Sequence, residues 1–373
     1  MRGRVLQRLR DDCCGGRCQL VHRTTIPYRP TIRPVLVSFR HLAYEEDCET
    51  VLGGAGSTRP TRVIIDQDGG IDDALALILA LRSPDLEIVG VTAVSGNVSA
   101  EQAALNALRV VELLGRKEVW VAKGLANPLI RNPIRAIDFH GKDGLGDSNL
   151  PLPKLRLHEN SALDMIPEAV TASGKRELTL IALGPLTNIA AVLTKEPDIA
   201  GRIGELAIMG GAFGLTDYGF GNETPAAEFN IYSDPEAAKI VFESKVPVRA
   251  VGLDVTMFPE AHLTKGDYAK VRAGQTRVSR FASRILSKTM RKWGRFALHD
   301  PMAVAAKVKP SFFQFERCKV LVETKGEHTA GMVVVDRRDW LPVNERKGRD
   351  VMVGKSAQFQ KFKGLFLNRL LSS

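Results

Sequence analysis

The chain has 373 residues, 44% of them hydrophobic, 25% charged and 6% aromatic, a composition that excludes collagen, coiled coil and general disorder. Its longest unbroken apolar run, Ala74 to Leu81, falls far short of the roughly 18 to 20 residues that cross a bilayer, so no membrane partner is expected. The net charge of +10, with a pI near 9.4, raises the question of a polyanionic partner, which the placement of the charge answers.

Residues 1 to 60 scatter arginines, from Arg2, Arg4 and Arg8 onward, among prolines without sustained periodicity, and they read as an extension. Their Arg-rich start is faintly like a mitochondrial transit peptide, but Asp11 and Asp12 interrupt a basic amphipathic helix, and no secretory apolar region is present. A mispredicted start site fits as well. Cys13, Cys14, Cys18 and Cys48 lie in this stretch and only Cys318 beyond it, so no disulfide framework staples the body. No paired CxxC or histidine cluster completes a zinc set. The body therefore reads as a reduced, cytoplasmic protein, or a mitochondrial one if the extension is a transit segment.

From Arg62 the pattern alternates. Strands are expected at 63–66, 87–95, 118–122, 178–183, 205–209 and 248–253, with helices in DDALALILALR, AEQAALNALRVVELLG, ALDMIPEAVTAS, TNIAAVLTKE and DPEAAKIVFES. A closing helix carries Phe359, Phe362, Phe366 and Leu370 on one face. Near-continuous apolar strands alternating with helices predict one large α/β domain over 61–373, Rossmann-like, with a mostly parallel central sheet flanked by helices. In such sheets ligands sit outside the carboxyl ends of the strands, so the loops there are where function is sought.

The first strand runs into Asp66-Gln67-Asp68-Gly69-Gly70-Ile71-Asp72-Asp73. Asp72 and Asp73 suit a helix N-terminus. Capping does not account for Asp66 and Asp68 beside them, because crowded carboxylates repel unless a cation or shared protons offset the charge. Oxygen ligands of this kind suit Ca²⁺ or Mg²⁺ rather than zinc.

VIIDQDGGIDDALAL resembles the N-terminal signature of the inosine-uridine-preferring nucleoside hydrolase family, Asp-x-Asp-Pro-Gly-x-Asp-Asp-Ala. Further matches follow in family order: SGN ending at Asn97, HGxxGLG from His140, ALGPLTNIA around Leu183, MGG from Met209, GN at Asn222, AEFN ending at Asn230, DPEAA from Asp234, and His299-Asp300-Pro301. The resemblance covers 62 to 371. It implies a Ca²⁺-dependent hydrolase that cleaves the N-glycosidic bond of ribonucleosides, purine or pyrimidine, to free base and ribose.

By motif position, the resemblance implies that Asp68, Asp73, Asp300 and the Leu183 carbonyl hold the ion. Asp68 is then the general base for a water whose pKa the ion lowers. Asp72, Asn97 and Asn230 are implied at the ring hydroxyls, Asn222 and Glu228 at the 5′ hydroxyl, and Met209 against the ribose, with Phe229 beside them in the AEFN motif. His299 is implied to help protonate the departing base, and having His there leans away from the purine-specific branch. His140 sits in a Gly-rich loop, 139–146, whose flexibility suits a lid. His22, His41, His158, His262 and His328 are expected to be structural. A homodimer or homotetramer is the family's usual assembly.

Two departures bear on the carry-over. Gly69 replaces the signature proline, which is expected to loosen the turn and weaken the ion. The segment before His299 lacks the family's tyrosines and offers Trp293 and Phe296, either of which can stack on the base or pack in the core. Two other readings stay open: a haloacid-dehalogenase-like phosphatase with Asp66 as nucleophile, and a non-catalytic nucleoside or ribose binder.

The charge is localised. Residues 1 to 60 hold ten arginines against six acids, and Tyr268 to His299 hold nine basic residues and no acid. Arg277, Arg280, Arg284, Lys288, Arg291 and Arg295 recur at helical steps beside Val278, Phe281 and Ile285, as on a solvated helix face. A general nucleic-acid binder is not expected.

Overall fold

The strands are β1 (Thr61–Gln67), β2 (Leu86–Ala93), β3 (Trp120–Lys123), β4 (Leu178–Ala182), β5 (Glu205–Met209) and β6 (Val248–Val251), then β7 (Leu263–Thr264), β8 (Arg295–Phe296), β9 (Phe313–Val322), β10 (Val333–Val335) and β11 (Arg349–Ala357). The helices are α1 (Ile71–Leu81), α2 (Ala100–Leu113), α3 (Ile137–His140), α4 (Ala162–Ala172), α5 (Thr187–Lys195) and α6 (Phe229–Ser233), then α7 (Pro235–Glu243), α8 (Leu253–Thr256), α9 (Lys265–Ala273), α10 (Arg277–Trp293), α11 (His299–Val308) and α12 (Phe359–Leu371). This computed structural model describes residues 59–372. The chain divides into two units, Met1–Ala55 and Gly56–Ser373. The expectations for the extension, for Cys13, Cys14, Cys18 and Cys48, and for His22 and His41 lie outside the described residues.

Nine strands form one sheet in the order β10-β9-β11-β6-β5-β4-β1-β2-β3. The seven from β11 to β3 are parallel to their neighbours, and β9 and β10 close one edge antiparallel. The domain is thus the expected α/β architecture with a mostly parallel sheet. The six early strands fall where the apolar runs place them, and three end sooner: β2 stops at Ala93, β4 at Ala182 and β6 at Val251, because Ser95 and Leu183 already belong to loops and Leu253 begins α8.

Successive side chains of β1 point to opposite faces. Val63 and Ile65 pack with α1, α10, α11 and α12, whereas Ile64 packs with α4, α5 and α7. Both faces are covered, which is why these strands read as unbroken apolar runs. In α12, Phe362, Phe366 and Leu370 are buried as their shared face predicts. In α10, Val278, Phe281 and Ile285 are buried, and Arg277, Arg280, Arg284, Lys288 and Arg291 are exposed. The helix ends at Trp293 with Gly294 left-handed, so Arg295 leaves the basic stripe and enters β8.

The chain moves outward from β1 through β2 to β3, then returns to the other side of β1 with β4. The sheet therefore has its switch point between β1 and β4, where the strand ends diverge and leave a crevice. The acidic turn follows β1, and Leu183 follows β4.

Candidate active site

The turn after β1 delivers Asp66 to Asp73 to the crevice, and α1 begins inside it at Ile71. Gly69 has φ +83°, which proline cannot adopt, and a Cβ there would lie 2.5 Å from Ala103 Cα. The glycine is required by a turn pressed onto α2, which corrects the expectation of a loosened one.

The carboxylates of Asp72 and Asp73, in the first turn of α1, meet that of Asp300, in the first turn of α11. One oxygen from each lies within 4.8 Å of the others, and all three residues are buried. Like charges at that spacing repel by about 3 kcal/mol per pair at an effective dielectric near 20. Burial first, and the neighbouring carboxylates second, push Asp68, Asp72 and Asp300 well above the usual carboxylate range. Asp72 Oδ1 is buried with no hydrogen-bond partner. The two helix N-termini offset part of the charge. An oxygen-only set with an orphaned buried acceptor fits a hard divalent cation, which is the test the residues themselves supply.

Asp68 stands beside this cluster. Its Oδ2 accepts from the Asn97 backbone amide and its Oδ1 from the Asn97 side-chain amide, each at 2.8 Å. Its backbone amide donates to Asp73 Oδ1 at 3.1 Å. Asp73 Oδ2 accepts from the Gly70 amide at 2.7 Å, so the turn, not the ligand, aims it. Leu183 directs its carbonyl to the Asn230 side-chain amide at 2.8 Å, and that amide also reaches the Met209 carbonyl at 3.0 Å. Among the sequence-derived metal residues, Asp73 and Asp300 are in the cluster. Asp72 joins them in the place expected of Asp68.

A cavity of about 420 Å³ opens over this floor. Asp72, Asn97, His140, Leu183, Met209, Asn222, Glu228, Phe229, Asn230, Trp293, His299 and Asp300 all line it, drawn from the carboxyl end of β5, the loops after β2, β4 and β5, and the helices α1, α3, α6, α10 and α11. Asp68 and Asp73 lie behind the wall. Glu228 caps α6: its Oε1 accepts from the Asn230 amide at 2.9 Å, and its Oε2 accepts from Gly211 and Ile231. Asn222 Oδ1 accepts from the Phe229 amide at 2.9 Å. Trp293 stands exposed at the mouth.

Both histidines expected at the site are there. His140 Nδ1 accepts from the Ile71 amide at 3.0 Å, which leaves the ring proton on Nε2. His299 Nδ1 meets the Thr256 hydroxyl at 2.8 Å. That ring nitrogen is the only partner of the hydroxyl among the described residues, and when the hydroxyl donates to it, Nε2 of His299 carries the proton. Burial pushes both rings down to about 3, so each is a neutral hydrogen-bond donor.

Several expectations are corrected here. The His140 loop is no loose lid: Asp143 accepts from the amides of Leu145, Asp147 and Ser148 at 2.8 to 2.9 Å. Asn106 then ties the Asp143 and Gly69 carbonyls together. Gly144 has φ +73°, and a Cβ there would lie 2.3 Å from the Gly69 carbonyl oxygen, so that glycine serves close packing. Phe296 is 1% exposed and stacks on Phe139 at 5.8 Å, so it is core, and of these two rings only Phe139 lines the cavity. Asp66 is sealed away. Its Oδ1 accepts from Thr92 and Asn188, burial pushes its carboxyl up to about 6, and it does not line the cavity, which removes the phosphatase nucleophile. Asp234 of DPEAA caps α7 and accepts from Thr187, which makes it scaffolding.

His262, expected to be structural, lines the cavity, as do Met257, Arg295 and Glu223. His262 and Met257 follow β6. The rule of strand carboxyl ends marks that loop, but no acid cluster drew attention to it.

Residues 63–364 match the family model described as inosine-uridine preferring nucleoside hydrolase. A pyrimidine-specific ribonucleoside hydrolase RihA of Salmonella agona is 41% identical over 281 residues, which is 74% of this chain and 88% of that protein. RihA of Escherichia coli O1:K1 is 40% identical over the same shares. Among solved structures, a plant nucleoside hydrolase superposes with TM-score 0.77 at 32% identity, over 84% of this chain and all of the other. A purine-preferring ribonucleoside hydrolase from Gardnerella vaginalis gives 0.74 at 33%, over 83% and 98%.

Proposed function

The chain belongs to the inosine-uridine preferring nucleoside hydrolase family and is an N-ribosyl hydrolase of nucleosides, and from that premise we propose a Ca²⁺-dependent enzyme that takes pyrimidine ribonucleosides among its substrates. The observation that carries the reading is the meeting of a buried carboxylate cluster and two neutral histidines on one cavity at the sheet's switch point.

Asp73, Asp300 and the Leu183 carbonyl are the proposed holders of the ion, with Asp68 beside Asp73 and Asp72 adding a carboxylate. Bound there, the ion supplies positive charge that acidifies a water and favours vicinal hydroxyls as ligands. Asp68 is the proposed general base. Its raised affinity for a proton suits it to take one from the attacking water, and Asn97 holds both of its oxygens in place.

As the glycosidic bond breaks, the ribose becomes oxocarbenium-like, and the surrounding carboxylates favour that positive charge. Asn230, Asp72 and Asn97 are proposed at the ring hydroxyls, and Asn222 and Glu228 at the 5′ hydroxyl. His299, with its proton on Nε2, donates to the departing base. The neutral imidazole is a weak acid but a good donor to a base that is gaining charge. Similarity to pyrimidine-specific relatives and the His at 299 support pyrimidine substrates. A homodimer or homotetramer in the cytoplasm is part of the same proposal, and light scattering on the eluting protein tests the assembly.

The experiment is a nucleoside panel assayed for reducing sugar with Ca²⁺ and again with chelator. Release of ribose that stops on chelation is the expected result. Binding without release in the presence of Ca²⁺ would instead make the protein a non-catalytic binder.

A further inference from the structure

Nitrogen-bearing side chains line the cavity as well as carboxylates. Three of them, Arg295, His262 and His299, come from two stretches of chain, one just before β7 and one running from β8 into α11, that the small β7–β8 pairing holds together: Leu263 pairs with Phe296 and Thr264 with Arg295. His262 is 6% exposed, lines the cavity, and has no hydrogen-bond partner on either ring nitrogen. The Thr256 backbone approaches the ring without reaching bonding geometry. A buried imidazole left wholly unpartnered is uncommon, since each nitrogen gives up water and gains nothing. The groups nearest to hand to complete it are those of a molecule in the cavity.

The surroundings say which groups. Burial, then the Arg295 guanidinium and the Lys363 ammonium, hold His262 below its usual value, and Glu260 opposes them weakly. His299 is close enough to feel its charge. The ring is therefore neutral with one N–H to donate, and it stands in a positive field. An electron-rich carbonyl is favoured at such a wall, and an amino group, whose hydrogens face the cations, is not.

We propose that His262 is a specificity-determining residue that contacts the base and selects nucleosides presenting a carbonyl edge, uridine over cytidine and inosine over adenosine. The proposal rests on the nucleoside hydrolase reading above and deepens it. His262 enters through the loop after β6 and the pairing that places its neighbour Leu263 against Phe296, so its position is independent of the carboxylate cluster.

The test compares kcat/KM for uridine, cytidine, inosine and adenosine in the wild-type protein, His262→Leu and His262→Gln, all with Ca²⁺. The wild type should prefer the carbonyl member of each pair. His262→Leu should lower that preference about tenfold or more, through the carbonyl substrates, and His262→Gln, which keeps a donor, should restore part of it. A packing role alone would lower all four substrates together, and that result, or an unchanged ratio, overturns the proposal. A wild-type protein that releases ribose from no nucleoside would refute the hydrolase reading and this proposal with it, whereas activity without a carbonyl preference refutes this proposal alone.

Discussion

Asn97, in the loop after β2, grips Asp68, in the turn after β1, at both carboxylate oxygens: backbone amide to Oδ2 and side-chain amide to Oδ1, each at 2.8 Å. The two strands are parallel neighbours, with Gln67 opposite Ala93, so sheet register alone brings the loops together. An amide donor on each oxygen restrains the carboxylate's rotation and leaves a lone pair on each for a proton.

Asp68→Asn keeps the shape and the Asn97 contact on one side but removes the base. We expect kcat to fall by about 10² to 10⁴ with the thermal midpoint little changed. Asn97→Ala, which leaves the carboxylate free to turn, is expected to lower kcat by about tenfold or more. Steady-state kinetics with uridine measure both, and parental turnover by Asp68→Asn would remove it as the general base.

Asp300 closes the acidic cluster from a helix more than two hundred residues away in sequence. Asp300→Ala is therefore expected to abolish Ca²⁺ binding in calorimetry while leaving the α/β fold intact by circular dichroism. An unchanged Ca²⁺ affinity would exclude it as a ligand.

The same cluster makes stability depend on pH in a way the ion reverses. A carboxyl raised above its unfolded value of 3.8 stabilises the fold fully below that value, and the contribution is lost as pH rises through the folded value. Ca²⁺ requires the ionised form, so its stabilisation, about 2.7 kcal/mol at a hundred times Kd, should grow over the same range. His140 and His299, held down to about 3, destabilise the fold as pH falls below 6.5 with or without the ion, so the Ca²⁺-induced difference isolates the carboxylates. The rise in Tm on adding Ca²⁺ is expected to be larger at pH 8 than at pH 5. An equal or smaller rise at pH 8 would contradict the assignment.

The Thr256 hydroxyl holds Nδ1 of His299 at 2.8 Å and so orients the ring. His299→Ala is expected to lower kcat for uridine by about 10² to 10⁴, and Thr256→Val by about tenfold. Both losses should shrink with p-nitrophenyl ribofuranoside, whose leaving group needs no help. Equal losses on the two substrates would show that the pair supports the fold rather than the departing base.

Much of this was legible in the residues. The apolar runs marked the six early strands because those strands are buried on both faces, and the acids crowded behind β1 marked the site because no capping pattern requires four of them. What misled was local context. Asp66 looks as available as Asp68, but it lies within β1 under Thr92 and Asn188, whereas Asp68 lies just past the strand end. Gly69 looks like slack until its φ of +83° and its contact with Ala103 are known. Phe296 and Phe139 are equally aromatic, and only packing makes one core and the other cavity wall.

The sequence by itself determined the alternation of strand and helix, the two-faced sheet and the supply of oxygen ligands, because these follow from periodicity and from residue types a few positions apart. Tertiary structure alone decided that Asp300 meets Asp72, that Asp72 rather than Asp68 completes the tight triad, and that His262 turns an unpartnered ring into the wall of the cavity. Those outcomes depend on how the strand order reverses at β1 and on a two-residue pairing between β7 and β8. Contacts of that range leave no period in a chain, since each residue involved is locally ordinary and becomes functional through what the fold sets opposite it.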